Sequence, residues 1–263
     1  GVKGAAIATI TSQIISAVVL TLYFLRPSRG NPRHMRLRRA MALGVSSGIT
    51  QSVGCIMQVV MNNSLVHYGD QSAIGGDVAL SAMGIVMKIA MIMAAFGIGV
   101  GIGAQPILGF NRGAKNFARI RRTYLLAVTF ATGLIAFCWL LCQLFPETIV
   151  GIFGKENAAF TDFAVKCLRI YLFSIFCAGF QIVSTNYFQA TGQPLKASVL
   201  SMLRQLLLLI PLILILPLFF GLDGILYSAP IADAASAAIV AFFIVPEMRR
   251  LRQQIGQMPP AEA

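Results

Sequence analysis

Two charged side chains, Lys88 and Asp233, lie deep inside apolar stretches of this sequence. Counted from Asp77 and from Asp223 at 1.5 Å per helical residue, both lie roughly 15 to 17 Å below the same surface of an apolar layer. A charge at that depth is costly enough that a function or a partner is expected for it. We therefore predict that Lys88 and Asp233 form an ion pair, which either fixes helix packing or opens when Asp233 is protonated.

Polar side chains of the second apolar stretch share one helical face. Their spacing of four, seven and four residues places them on one side of a helix, and they are Ser47, Gln51, Gln58 and Asn62. Such a stripe should avoid lipid, and two interpretations remain open. It forms one wall of a substrate cavity, or it bonds neighbouring helices, where a hydrogen bond contributes about 0.6 kcal/mol on average.

Methionines and aromatic residues supply further candidates for the wall of a cavity. Methionine recurs at four-residue intervals in the third apolar stretch, at Met83, Met87 and Met91. Flexible thioethers suit a site that repacks around differently shaped ligands, although methionine is also common core filler. Phe180, Gln181 and Tyr187 form an aromatic and amide face that could stack planar cations, and an ordinary lipid-facing stripe is equally compatible. The predicted cavity residues are Gln51, Gln58, Asn62, Met83, Met87, Phe180, Gln181 and Tyr187.

The composition indicates what positions these residues. Apolar residues make up 57% of the 263 residues and charged residues 11%, well below the roughly 25% charge of an average soluble domain. Division at the charged clusters leaves apolar stretches of about 20 residues, the length that crosses ~30 Å of hydrocarbon. The net charge is +12, but the basic residues lie between these stretches, which argues against a nucleic-acid partner. We expect the lipid bilayer to be the partner.

We predict an all-α integral membrane protein with seven transmembrane helices, over residues 4-25, 40-62, 77-104, 124-145, 166-189, 198-220 and 224-246. Arginine clusters follow the first and third spans, and the tail is basic, whereas most acidic residues fall in the other loops. Because basic loops remain in the cytoplasm, Gly1 should lie outside and the C-terminus, Ala263, inside.

Proline, glycine and cysteine refine this prediction. Pro211 and Pro217 interrupt the sixth span, and a bent helix is expected there because each removes a backbone donor. Four glycines recur at every second position and predict a close packing or hinge surface: Gly97, Gly99, Gly101 and Gly103. The five cysteines all fall inside predicted spans and form no CxxC pair, so we predict no metal site.

Several segments resemble the multidrug and toxic compound extrusion (MATE) family, in the family's order. The most specific is the run from Gln105 to Asn116, QPILGFNRGAKN, followed by Arg119 and Arg122. The segment from Gly4 to Thr9 followed by Gln13 resembles the entry to the family's sixth helix. The run NYFQATGQ, residues 186 to 193, resembles the end of its tenth helix. The resemblance covers nearly the whole chain.

The resemblance implies that the seven spans correspond to helix six plus the six-helix C-lobe of a twelve-helix transporter. Residues 1-25 would then be the last helix of the N-lobe, 26-39 a cytoplasmic basic linker, 40-246 the C-lobe and 247-263 a cytoplasmic tail. The missing N-terminal lobe would be a partner from the same protein, because the start of the sequence is expected to be truncated.

The family exports cationic or amphipathic small molecules across the bacterial inner (plasma) membrane in exchange for H+ or Na+, with alternating access between two lobes. No cofactor besides that coupling ion is expected. Some branches carry coupling carboxylates on the seventh and tenth helices, where this sequence has Gly54 or Cys55 and Ala178. The chain is similar to the MepA-like and DinF-like bacterial branch, in which the main coupling carboxylate lies on the first helix, outside this sequence.

Two other functions were weighed against drug efflux. A lipid-linked precursor or polysaccharide flippase of the same superfamily would share the lobe plan but should line its cavity with several basic residues. Only Lys88 is clearly a basic residue at the midplane in the predicted spans. A membrane enzyme needs clustered His and acidic ligands or a nucleophile beside a base, and the sequence offers no such cluster, so we predict that the protein is not an enzyme.

Overall fold

A computed structural model describes residues 2–25, 37–153 and 158–256, without the side chains of 24–50. Its elements are α1 (Val2–Leu25), α2 (Leu37–Asp70), α3 (Gly76–Gly113), α4 (Phe117–Leu144), α5 (Pro146–Phe153), α6 (Ala158–Tyr171), α7 (Phe176–Ala190), α8 (Pro194–Met202), a π-helical segment (Leu203–Leu209), α9 (Ile210–Phe220) and α10 (Leu222–Gly256). Most of the predicted linker, the end of the predicted tail and the side chain of Ser47 fall outside the described part. The chain divides into two units, residues 1–46 and 47–263.

The prediction of an all-helical membrane protein is confirmed, whereas the count of seven spans is not. Among the described residues, five stretches are long and apolar enough to cross a membrane: residues 6–23 of α1, then α3, α4, the run 195–220 and α10. The pair α6 and α7 gives a sixth if counted as one bent span. Helix α2 is not one of them, but the side chains of its first part, up to residue 50, fall outside the described residues, so the predicted span 40-62 stays a prediction.

The predicted fifth span, 166-189, is broken by a bend of 48° between α6 and α7. At the break the backbone hydrogen bonds span three residues instead of four. The N–H of Ile175 donates to the carbonyl of Leu172, and the N–H of Ala178 donates to the carbonyl of Ile175. These tight turns redirect the chain without a proline or glycine at the bend. As a result α6 and α7 present different faces to the interior.

The interruption predicted in the sixth span takes the form of the π-helical segment. This segment ends at Leu209, two residues before Pro211, which occupies the first turn of α9, while Pro217 lies inside α9. Proline cannot donate to the preceding turn, and local π-helical widening is one way for a helix to absorb the lost bond. The register of the residues before Pro211 therefore departs from that of a regular α-helix.

Two of the four regularly spaced glycines make the predicted close contact. A Cβ at Gly97 would lie 3.2 Å from Ile182 of α7, and one at Gly101 would overlap the amide of Asn186. Gly99 and Gly103 face open space, as expected for residues on the opposite side of the helix. Helix α7 approaches α4 even more closely, since a Cβ at Gly179 would lie 2.8 Å from the Cα of Thr132.

The segment that carries the most specific resemblance has clear structural roles. Gln105 donates to Asn186 at 2.7 Å and so connects α3 to α7. The side chain of Asn116 accepts the backbone N–H of Arg119 at 3.0 Å, which caps the first turn of α4. The segment therefore ends α3, turns the chain and starts α4.

The core lies between the helices of the second unit, and the outer faces are apolar. One buried cluster joins residues of α2, α3, α6, α9 and α10, and a second joins α3, α4, α7, α8 and α10. Large aromatic side chains such as Phe130, Phe219 and Phe242 are exposed on the outside. A continuous apolar exterior is expected where lipid is the solvent.

Candidate functional site

A cavity of about 580 Å³ lies within the second unit, between α2, α3, α6, α7, the run from α8 through the π-helical segment, and α10. Its lining combines methionine and aliphatic side chains with a small set of polar groups. The charged and amide groups are Lys88, Arg204, Asp233, Gln58, Gln181, Gln205 and Asn186. An apolar cavity with a few polar groups is typical of a small-molecule site.

The strongest polar contact in the cavity is an ion pair between Arg204 and Asp233. Nε of Arg204 donates to Oδ1 of Asp233 at 2.7 Å, which ties the π-helical segment to α10. The side chain of Asp233 is 4% exposed and that of Arg204 36%. The predicted pairing of Asp233 with Lys88 is therefore wrong in its partner. Lys88 and Asp233 do line the same cavity, but depth in the layer alone did not determine which cation faces the carboxylate.

Gln181 connects α7 to α10 beside this ion pair. Its Nε2 donates to the backbone carbonyl of Asp233 at 2.8 Å, and its Oε1 accepts from the hydroxyl of Ser236 at 2.8 Å. Both ends of the buried amide are thus satisfied within the protein, as buried polar groups require. The contacts hold the backbone of Asp233 in place while Arg204 holds its carboxylate.

A second amide network lies farther along α7. Asn186 accepts from Gln105 at 2.7 Å and donates to the carbonyl of Ile182 at 2.9 Å. Gln105 also lies 3.3 Å from the side-chain oxygen of Gln189. The absence of a side chain at Gly101 gives Asn186 the room to make these bonds.

Lys88 lines the same cavity, but unlike Asp233 it has no partner in the described part of the chain. Its side chain is exposed, and within residues 51–153 and 158–256 it has neither a hydrogen-bond nor an ion-pair partner. Methionines surround it in the lining, with Met87 and Met91 on the same helix and Met57 on α2. The ammonium group is therefore available to a ligand.

The structure separates the predicted cavity residues into two groups. Gln58, Met87 and Gln181 line the cavity, together with Lys88 and Asp233. The other five are not among the lining residues of this cavity. Met83 and Tyr187 are buried in the two core clusters at 1% and 0% exposure, and Phe180 packs on the second cluster. Gln51 is exposed, and Asn62 accepts a hydrogen bond from Gln58.

Sequence reasoning missed Arg204, Gln205, Asn186 and Tyr171 as lining residues. A signal existed for Arg204, because it is a basic residue within the predicted span 198-220. Gln205 carries a buried side-chain oxygen with no hydrogen-bond partner among the described residues. Within the described residues, no group of three or more His, Cys, Asp or Glu side chains could hold a metal ion.

Comparison with known proteins places this geometry in a family context. The family model described as MatE matches residues 56–215. The multidrug export protein MepA of Staphylococcus aureus (strain MRSA252) is 25% identical over 256 residues, which cover 93% of this chain and 53% of that protein. MepA of Staphylococcus haemolyticus (strain JCSC1435) is 25% identical over 94% of this chain and 54% of its own length. The chain thus spans about half the length of the curated relatives it matches.

Solved structures give the same result for the fold. An outward-facing multidrug resistance MATE family transporter of the MOP superfamily matches 96% of this chain and 57% of its own, with a TM-score of 0.79 at 19% identity. An inward-facing transporter of the same description matches 95% and 58%, with a TM-score of 0.77 at 18% identity. The proteins named in these comparisons are transporters and not enzymes.

Proposed function

Because the chain belongs to the MatE family, we propose that it forms the C-terminal part of a secondary transporter that exports amphipathic and cationic drugs in exchange for H+ or Na+. The MepA relatives are named multidrug export proteins, and the chain is similar to them over more than nine-tenths of its length. The single observation that carries the proposal is the cavity, which combines methionine side chains with a few fixed polar groups inside a helical membrane protein. Adaptable thioethers suit substrates of varied shape.

Alternating access between two lobes is the proposed mechanism. The chain matches outward-facing and inward-facing transporters almost equally, with TM-scores of 0.79 and 0.77. Such agreement is expected if this part keeps its internal arrangement and moves as one body against the other lobe. In this proposal residues 1-25 belong to the N-lobe, 40-246 form the C-lobe, and 26-39 and 247-263 lie in the cytoplasm beneath the bacterial inner membrane.

We assign a coupling role in this part to Asp233. Its carboxylate is buried and pairs with Arg204 at 2.7 Å. Lys88 lines the same cavity. Proton or Na+ binding at Asp233 would weaken its hold on Arg204 and so loosen the π-helical segment from α10. Since this pair ties the π-helical segment to α10, a change in it would alter how α10 packs.

The charge of the lining also favours drug export over lipid-precursor flipping. Arg204 adds a second basic residue to the cavity, but Asp233 compensates it at 2.7 Å. One uncompensated lysine remains among the described lining residues. A flippase for anionic headgroups is expected to carry several such residues.

The test uses cells that express the full-length gene. They should accumulate less of an ethidium-like dye than cells without it, and collapsing the ion gradients should abolish the difference because pumping requires them. Asp233→Asn should reduce export or change its pH dependence, whereas the matched Asp223→Asn should not, since Asp223 lies at the start of the same helix in an exposed pair with Lys166. Unchanged export and pH dependence in Asp233→Asn would remove the coupling role. Equal dye accumulation with and without the gene would remove the export proposal.

A further inference from the structure

The described charges of the cavity lining do not balance. Three charged side chains line it: Lys88, Arg204 and Asp233. Arg204 and Asp233 neutralise each other through their contact at 2.7 Å. Lys88 has no carboxylate or hydrogen-bond partner within the part of the chain that the structure describes. The wall formed by this chain therefore carries one net positive charge, located on α3.

The surroundings of Lys88 are apolar or neutral. Met87 and Met91 flank it on α3, and Met57 lies in the lining on α2. Besides the charged groups, the polar side chains of the lining are amides and the hydroxyls of Tyr171, Thr185 and Ser201, which are all neutral. Two of the amides are already engaged: Gln181 with α10, and Asn186 with α3 and its own helix. An ammonium group among apolar and neutral side chains is stabilised most by an anionic acceptor. The one carboxylate of the described lining, Asp233, is already engaged by Arg204.

We propose that Lys88 binds a carboxylate on the substrate, so that among the amphipathic drugs of the proposed export function this wall of the cavity favours zwitterions, which carry a carboxylate besides their cation, over pure cations. The inference rests on the proposed export function and names the substrate class for this wall. The apolar body of such a molecule would pack on the methionines, of which Met91 is 76% exposed. A purely cationic molecule gains the same apolar contact but is repelled by Lys88.

The experiment compares rhodamine B, a zwitterion with one free carboxylate, with its ethyl ester, a monocation of nearly the same shape. Binding of each dye to the purified full-length protein in a neutral detergent is followed by fluorescence anisotropy. Lys88→Met removes the charge and keeps an apolar side chain of similar length. We expect it to weaken rhodamine B relative to the ester by about tenfold in Kd, the lower range for a hydrogen bond to a charged group.

Two variants serve as controls. Lys88→Arg keeps the positive charge and should retain most of the preference for rhodamine B. Lys196→Met removes a lysine that is exposed and lies over the ring of Phe188, away from the cavity lining, and it should leave the ratio of the two Kd values unchanged. The same three variants are compared for thermal stability, so that a folding defect is recognised.

Two outcomes would overturn the inference. One is no saturable binding of rhodamine B. The other is an unchanged Kd ratio in Lys88→Met, including an equal loss for both dyes, which is expected if Lys88 serves to pair with another part of the protein. Export of the two dyes is measured separately in energised vesicles that contain the full-length protein. A shifted Kd ratio without any export would retain the carboxylate site and refute the export proposal, so the two failures are distinct.

Discussion

The ion pair between Arg204 and Asp233 predicts an unequal cost for removing its two members. Asp233 is 4% exposed, whereas 36% of the Arg204 side chain remains exposed. Arg204→Met leaves a carboxylate that cannot reach water, and breaking a buried pair in this way costs about 3 to 5 kcal/mol. Asp233→Asn keeps an oxygen that still accepts from Arg204, and the partly exposed guanidinium can also turn toward water. We expect a smaller cost there, of about 1 kcal/mol.

The double variant distinguishes a paired contact from two independent ones. With Arg204→Met already present, Asp233→Asn replaces an unpaired charge by a neutral amide, so it should recover stability instead of losing more. The coupling free energy across the cycle should therefore be at least about 1.5 kcal/mol, well above the few tenths expected of unconnected sites. Reversible unfolding of the full-length protein in mixed micelles gives the four free energies.

Two results would refute this reasoning. If Asp233→Asn destabilises the protein more than Arg204→Met, then the difference in exposure does not determine the cost. If the two changes are additive, the contact contributes no stability of its own. Circular dichroism serves as a control. The two single variants should have the same helical content, because neither change introduces a residue that breaks a helix.

Three further predictions concern stability and dye export. Met83→Ala should destabilise the full-length protein by about 2 to 5 kcal/mol because it empties a fully buried site, whereas Met91→Ala should leave unfolding unchanged and raise the KM for dye export; a reversed pattern would mean that the cavity is misplaced. Gly179→Ala should cost about 1 to 3 kcal/mol because the new methyl group meets the α4 backbone, while Gly133→Ala, which faces open space, should be neutral or stabilising by up to about 1 kcal/mol in the same unfolding assay. Lys166→Met should change the unfolding free energy by less than about 1 kcal/mol, since its ion pair at the start of α10 is solvent-exposed, and a larger loss would indicate a buried contact.

The apolar helices could be predicted because the hydropathy of a stretch follows directly from its amino acids. Residues 77-104 lie within α3, and 124-145 match α4 except for the last residue, because both stretches are predominantly apolar. The bend between α6 and α7 could not be predicted, because no proline or glycine marks it in the sequence and it arises from tight backbone turns.

The methionine series shows why only part of the cavity could be predicted. A step of four residues advances about 40° beyond a full helical turn, so Met83 and Met91 point about 80° apart. The structure places Met83 in the core at 1% exposure, Met87 at the edge and Met91 in the cavity at 76% exposure. A regular spacing was mistaken for a shared face. Gln181 and Tyr187 likewise point to different sides of α7. Gln181 reaches α10, whereas Tyr187 packs against Tyr124 of α4.

The wrong partner for Asp233 has a related cause. Counting residues along a helix fixes depth but leaves open which direction the side chain takes around the helix axis. For Arg204 even that direction could not be counted, since it lies in the π-helical segment, where the period departs from 3.6 residues. The ion pair depends on this local register, which the prolines downstream indicate only as an interruption.

The contacts of helix α7 distinguish the cavity residues that hold helices together from those that remain available to a ligand. Gly179 lets α7 lie against α4, while Gln181 and Asn186 direct their amides to α10 and α3. Because these amides are satisfied by neighbouring helices, they fix the shape of the cavity and have little capacity left for a ligand. Recognition by this wall must then come from the groups that no neighbour satisfies, chiefly Lys88 and the exposed thioether of Met91. For that reason a change at Gln181 should act on the fold, whereas a change at Lys88 should act on which substrate is chosen.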